Sequence, residues 1–198
     1  MIDPFVSGDD PFALFAKWYA AAAASESGDP DAAALATVAP DGMPAVRMVL
    51  IREFGADGFV FYTNYDSRKG DHLAAHPQAA FCLHWKSLRR QIRVEGDIGR
   101  VAAAQSDAYF ASRPRESRIG AWASLQSRPL PGRAGLEERV AEYSAEFADA
   151  VPRPPHWGGY RLKPRMIEFW QQGEHRLHDR QVYTRQANGG WSIMRLYP

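Results

Sequence analysis

The chain alternates between short apolar runs and clusters of turn-forming residues. Asp10 followed by Pro11 reads as an N-cap and first helical residue. Phe12, Phe15, Trp18 and Tyr19 then recur at helical spacing, which predicts a helix to about Ser25 and a loop from Glu26 to Pro30. Ala33 to Ala39 and Phe59 to Thr63 read as strands, and Val46 to Glu53 is a nearly continuous apolar run with an arginine near each end. Pro40-Asp41-Gly42 and Gly55-Ala56-Asp57-Gly58 supply turns between them. Further strands are predicted at 79–86, 90–96 and 98–101. Ser67 caps a helix that ends before Pro77, residues 103–112 form another, and Leu136, Val140, Tyr143 and Phe147 mark one face of a helix from Gly135. After a proline loop, Pro152 to Pro155, strands are expected at 157–163, 165–171 and 181–186. Ala187-Asn188-Gly189-Gly190 is a hairpin turn into a last strand, 191–196. This spacing predicts a mainly β, α+β protein: an antiparallel sheet or barrel with peripheral helices, residues 1–198 forming one domain.

Composition narrows the function. With 24 basic and 23 acidic residues the net charge is +1, so no global field recruits nucleic acid or a membrane, and any anion must be held by local clusters. No apolar stretch approaches a membrane span, and the acidic start MIDPFVSGDDP has no signal-peptide pattern. The cytoplasm is the expected compartment. A single cysteine, Cys82, excludes an intrachain disulfide and reads as a small buried residue. Six tryptophans suit stacking on a ring ligand, and equally an aromatic core. The six histidines show no metal-ligand spacing, so no metal is expected.

Residues 167–180, IEFWQQGEHRLHDR, are the densest chemistry in the chain. Glu168, Trp170, Glu174, His175, Arg176, His178, Asp179 and Arg180 surround only a few apolar positions. The first half alternates as a strand does. In the second half Arg176, His178 and Arg180 would point the same way on an extended segment, two guanidiniums around an imidazole, an arrangement that calls for an anion between them. The alternative is a solvated, charged edge strand that blunts edge pairing.

Two further stretches look built for phosphate. Tyr62-Thr63-Asn64-Tyr65-Asp66-Ser67 leads from a strand into a helix whose first turn carries Arg68 and Lys69. Cations there oppose the helix dipole by about 0.3–1 kcal/mol each, and an anion at that end reverses the sign. Arg47 could converge on the same anion, whereas pairing with Asp66 and Asp71 would make the cations mere surface decoration. Tyr109, Arg113 and Ser117 recur at spacing four. Tyr109 and Arg113 are expected on one helix face, about 5–6 Å apart at Cβ, with Pro114 breaking the helix before Ser117. A phenol, a guanidinium and a hydroxyl make a monophosphate cup; an amphipathic helix with a packed Tyr and a solvated Arg is the alternative.

Taken together, Glu168-Phe169-Trp170-Gln171, Arg176-Leu177-His178-Asp179-Arg180, Arg47 to Arg52, Tyr62-Thr63, Arg68-Lys69 and the stretch from Tyr109 to Ser124 resemble the pyridoxamine 5′-phosphate oxidases, flavin enzymes of vitamin B6 metabolism. The resemblance spans nearly the whole chain. It implies an FMN-binding split β-barrel of antiparallel Greek-key type, working as a homodimer with FMN between the subunits. FMN would be held by Arg47, Met48, Val49, Leu50, Ile51, Arg52, Tyr62, Thr63, Arg68, Lys69, Gln91, Gln126, Ser127, Trp170 and Arg180. The substrate, pyridoxamine or pyridoxine 5′-phosphate, would be held by Arg52, Tyr109, Arg113, Ser117, Arg176 and His178, with Arg176 and His178 catalytic. Dioxygen would be the oxidant and pyridoxal 5′-phosphate the product. Two features depart from the pattern: Arg52 stands where lysine is usual, and the chain begins Met1-Ile2-Asp3 without the basic, aromatic arm of many members. Asp29 matches a position near the substrate. The competing expectations are a sister flavoprotein acting on a phenazine precursor and a non-catalytic binder of flavin or pyridoxal phosphate.

Overall fold

A computed structural model of the chain describes Phe5, Gly8 and residues 10–198; the rest of the acidic N-terminal segment lies outside the described residues. Asp10 caps α1 (Pro11–Ser25) as its sequence predicts, its side chain accepting from the Phe12 amide at 2.9 Å. β1 (Ala32–Val38) and β2 (Pro44–Leu50) form a hairpin, followed by β3 (Glu53–Gly55) and β4 (Gly58–Asn64). α2 (Arg68–Ala75) leads to β5 (Gln78–Trp85) and β6 (Arg90–Arg100). α3 (Ala103–Ser112), α4 (Arg115–Ala123) and α5 (Arg133–Glu146) intervene before β7 (Trp157–Gln171), β8 (Asp179–Arg185) and β9 (Trp191–Leu196).

The nine strands make one antiparallel sheet in the order β2-β1-β5-β6-β7-β4-β3, with β8 and β9 continuing from the far half of β7. The split-barrel class expected from sequence holds, and the sheet is not closed into a ring. Strand limits differ in instructive ways. The apolar run Val46 to Glu53 is not one strand: β2 stops at Leu50 and β3 starts at Glu53. The pairs 90–96 with 98–101, and 157–163 with 165–171, are each a single strand. Pro164, which cannot donate to a ladder, is accommodated by a bulge: Glu95 pairs with Met166 and Gly96 with Pro164, leaving Arg165 as the extra residue. β7 pairs with β6 along one edge and serves two further ladders on the other, with β4 over Trp157–Leu162 and with β8 over Met166–Gln171.

One sheet face carries the core. Leu35, Phe59, Phe61, Leu83, Ile92, Val94, Ile167, Phe169 and Tyr183 alternate inward along their strands, and α1 covers them with Leu14, Phe15, Trp18 and Ala22. Burying one such Phe or Leu side chain contributes about 1.5–3 kcal/mol. The opposite face is lined by small and flexible residues. Met48, Ala34, Cys82, Arg93, Glu168, Val182 and Met194 follow one another across the strands. Cys82 is half-buried there, not enclosed as expected, because its β5 position points away from the core. A second, smaller apolar cluster, Phe110, Ile119, Val151 and Trp157, lies beneath α3 and α4.

Candidate functional site

The junction between α3 and α4 creates a cup. Tyr109 lies in the last turn of α3, Arg113 is its C-cap in extended conformation, and Ser117 follows in the first turn of α4. Tyr109 and Arg113 thus do not share a continuous helix face, as their spacing suggests. The chain turns at Pro114, the N-cap of α4, and the three side chains meet in a cavity of about 550 Å³. Leu50, Arg52, Tyr62, Thr63 and Gln126 line the same cavity. The Arg113 guanidinium sits 4.7 Å over the Trp157 ring, and its Nη1 is buried with no hydrogen-bond partner. Burial lowers its pKa, partly offset by Tyr109 and reinforced by Arg52. A buried, unpartnered guanidinium nitrogen costs stability until an acceptor reaches it. Arg52 at the rim donates from Nη1 to Asp31 Oδ2 at 2.7 Å.

A second cationic cluster adjoins it. Ser67 caps α2, donating to the Asn64 carbonyl and accepting from the Gly70 amide. Lys69 does not reach solvent beside Asp66 or Asp71. It is buried, donating to Thr63 Oγ1 (2.8 Å), Ser67 Oγ (3.1 Å) and Gln126 Oε1 (2.6 Å). Burial first, then the Arg47 charge, lowers its pKa to about 8. Asp71 pairs instead with Arg128 at 3.2 Å, and Arg68 is exposed. Arg47 on β2 donates through Nη1 to the Leu35 and Ala45 carbonyls and to Thr37 Oγ1. Thr37 in turn lies 3.0 Å from Nδ1 of buried His72, whose pKa is lowered by burial and by Arg47 and Arg68.

The dense C-terminal segment behaves differently from its expected geometry. It is neither a solvated edge strand nor continuously extended. β7 is interior to the sheet, and the chain leaves it at Gln171 through a 3-10 turn, Glu174–Arg176. His175 and Arg176 have φ of 52° and 66°, a left-handed backbone that costs about 1–2 kcal/mol per non-glycine residue. Arg176, His178 and Arg180 therefore do not project in one line. His178 lies 4.6 Å from the Trp170 ring, its Nδ1 accepting from the Gly173 amide at 3.3 Å. Arg180 chelates buried Glu168 with Nε and Nη2 and donates from Nη1 to the Tyr197 carbonyl; Arg93 also binds Glu168 at 2.8 Å. Gln91, Trp170 and Arg180 are direct cross-strand neighbours on β6, β7 and β8.

The predicted residues thus fall into two groups. Arg52, Tyr62, Thr63, Lys69, Tyr109, Arg113, Ser117 and Gln126 gather where β7 begins, with Leu50, and Arg47 joins them through β2. Gln91, Trp170, Arg176, His178 and Arg180 gather where β7 ends, and none of them lines the cavity. Of the others, Ile51 is buried in the core, Val49 packs against it, Met48 is exposed on the far sheet face, and Ser127 is exposed with φ 70°. Trp157, Asn64 and Ser124 line the cavity without having been singled out. Trp157 stands at the start of a strand after a proline loop, and nothing local in the sequence announces that a distant arginine rests on its ring. Among the described residues no cluster of His, Cys, Asp and Glu could hold a metal, and no helix is long and apolar enough to cross a membrane.

The fold and the cavity define a split-barrel protein with a cation-lined cleft. A family model described as pyridoxamine 5′-phosphate oxidase matches residues 20–146, and one described as the pyridoxine 5′-phosphate oxidase C-terminal dimerisation region matches residues 157–198. The pyridoxine/pyridoxamine 5′-phosphate oxidase of Brucella canis is 57% identical over 198 residues, covering 99% of this chain and 98% of that protein. The structure of PhzG from Burkholderia lata, in complex with tetrahydrophenazine-1-carboxylic acid, is similar with a TM-score of 0.92 at 32% identity, covering 100% of this chain and 97% of that one. A pyridoxamine 5′-phosphate oxidase-related, FMN-binding protein from Nostoc punctiforme shares the fold, with a TM-score of 0.77 at 19% identity over 96% of this chain and 98% of that one. The chain belongs to the pyridoxamine 5′-phosphate oxidase family.

Proposed function

We propose that this protein is an FMN-dependent oxidase. It converts pyridoxamine 5′-phosphate, dioxygen and water to pyridoxal 5′-phosphate, ammonia and hydrogen peroxide; pyridoxine 5′-phosphate and dioxygen give the same aldehyde and hydrogen peroxide. The observation that carries this reading is the cup: Tyr109, Arg113 and Ser117 converge on one cavity, and a buried Arg113 nitrogen has no protein acceptor. A substrate without an anionic group would leave that nitrogen unpaired, and the phenol, guanidinium and hydroxyl together suit the several oxygens of a phosphate monoester. The Lys69 cluster is the second phosphate site in this reading. Its donor set, a buried ammonium beside Arg47 and the N-terminus of α2, suits a phosphate monoester such as that of FMN.

FMN held by the Lys69 and Arg47 cluster would supply the two-electron chemistry, acceptance of a hydride from the substrate 4′ carbon and reduction of dioxygen. The chain binds and orients. Tyr109, Arg113, Ser117 and Arg52 fix the substrate phosphate, which sets the direction of its ring. Arg176 holds the ring and stabilises negative charge at the phenolic oxygen, while His178 orients the substrate. These two stand at the far end of β7 from the cup, so in this reading a second copy of the chain supplies them, together with Gln91 and Trp170. The outer sheet face supports the pairing: Val46, Met48 and Met194 are 68%, 62% and 66% exposed on a face that also carries small residues and the Arg93–Glu168 ion pair, and the C-terminal region matches a dimerisation model. The compartment in this reading is the cytoplasm, where a lone thiol is at home.

Anaerobic mixing tests the assignment. FMN-loaded protein with pyridoxamine 5′-phosphate should lose its flavin absorbance and regain it on admitting air, with pyridoxal phosphate appearing. Bound flavin that stays oxidised would refute the oxidase. The likeness to PhzG supports a second reading, oxidation of an unphosphorylated phenazine precursor; bleaching by such a compound but not by pyridoxamine 5′-phosphate would favour it.

A further inference from the structure

Three aromatic rings line the wall of the cavity in nearly parallel planes. Tyr62 and Tyr109 stack at 3.8 Å between centroids with 8° between planes. Trp157 lies 5.6 Å from Tyr62 at 12° and 6.2 Å from Tyr109 at 4°. Two members of the phosphate cup depend on this slab. Tyr109 is part of it, and Arg113 rests on Trp157. Stacking favours offset, near-parallel rings but supplies no directional bond that fixes their lateral position. Something must pin the slab laterally.

Glu53 does so. Both carboxylate oxygens are used: Oε1 accepts from the Tyr62 hydroxyl at 2.5 Å, and Oε2 accepts from Gln105 Nε2 at 2.6 Å. Gln105 is four residues before Tyr109 on α3, hence on the same helix face, and its Oε1 accepts from Arg161 at 3.2 Å. One carboxylate therefore ties β3, the Tyr62 ring on β4 and the turn of α3 that presents Tyr109. Glu53 is also the chain neighbour of Arg52, and β3 is only a three-residue strand held to β4 through Glu53 opposite Val60. The pKa of the Tyr62 phenol is raised, by burial first and then by Glu53, so it stays a donor to that carboxylate.

We infer that Glu53 is a positioning residue: by bracketing Tyr62 and Gln105 it fixes the aromatic slab that presents Tyr109 and Arg113, and so sets affinity for the phosphate of the substrate without touching it. This rests on the reading of the cup as the substrate phosphate site. The test uses FMN-loaded protein and two probes, pyridoxal 5′-phosphate and pyridoxal, titrated by calorimetry. Glu53→Ala should weaken binding of the phosphorylated probe about tenfold, the effect of one mis-set hydrogen-bonding group, with pyridoxal binding and flavin content unchanged. Glu53→Gln keeps one acceptor for Tyr62 and should fall between Glu53→Ala and the unsubstituted protein. Arg113→Ala is the reference: if it leaves pyridoxal phosphate binding intact, the cup reading itself fails. If Arg113→Ala weakens the phosphorylated probe while both Glu53 variants bind it normally, the inference is overturned and the cup stands. It is overturned too if Glu53→Gln binds normally and Glu53→Ala loses flavin or thermal stability, which would make Glu53 a structural residue only.

Discussion

Lys69 offers the sharpest test of where the flavin phosphate sits. Its ammonium is buried among neutral oxygens with the Arg47 charge nearby, and its pKa is lowered to about 8. A phosphate placed against it restores the ordinary value or exceeds it. From the ordinary lysine value of 10.5, the depression sets an upper limit of about 3 kcal/mol, reduced by solvent screening at a group that is only partly enclosed. The sign follows from linkage. Below pH 8 Lys69 is protonated in both free and bound forms, and affinity is independent of this group. Above pH 8 the free site has lost its proton and binding must take one up, so affinity falls by up to tenfold per pH unit. Titrating flavin-free protein with FMN and following flavin fluorescence should show Kd rising about 30-fold at most between pH 7 and 9.5. Riboflavin, which lacks the phosphate, should show no such rise, and Lys69→Met should bind FMN more weakly at pH 7 with a flat profile. An FMN affinity constant across that range, or a Lys69→Met variant that keeps the slope, would refute the placement.

Other perturbations have equally definite outcomes. Arg113→Ala should raise KM for pyridoxamine 5′-phosphate by about 100-fold, the loss of a charge-assisted contact, with FMN retained; co-release of flavin would mean the cup serves the wrong ligand. Gly173→Ala places a Cβ 1.9 Å from the Leu177 carbonyl oxygen, so the Gly173–His178 loop must open; turnover should drop while the melting temperature moves little. Trp18→Ala empties a fully buried site against Phe169 and Phe5 and should cost about 3–5 kcal/mol in denaturant unfolding. Charged substitution of Met48 on the outer face should yield monomers that shed FMN, checked by sedimentation and absorbance; a monomer with tight FMN would contradict the shared site.

Local features were readable in the chain because local physics produces them. The Asp10-Pro11 cap, the Ser67 cap and the turn at Ala187–Gly190 each need only neighbours within a few residues. The spacing of Tyr109, Arg113 and Ser117 identified the cup, although Pro114 makes it a helix junction and not a helix face. What could not be read depends on distant partners. Pro164 marks a strand break in any one-dimensional reading, yet β7 continues because its missing donor falls at a bulge opposite Gly96. The alternation in Arg176-Leu177-His178 implies an extended chain, but Gly173 approaches Leu177 so closely that a left-handed turn forms instead. Glu53 and Trp157 carried no signal, since each acts through residues 9 to 52 positions away or through rings brought near only by folding.

The 15-residue length of β7 has a genetic corollary. Its two ends are about 45 Å apart along an extended strand, and in the dimer proposed above each cleft would draw the cup from one chain and the Trp170 row from the other. A chain crippled at Arg113 and a chain crippled at Trp170 are then complementary. Neither homodimer has a working cleft, but the mixed dimer has one cleft with both defects and one with none. Co-expressing the two dead alleles should therefore restore activity, up to about one quarter of normal for random subunit mixing in a symmetric dimer.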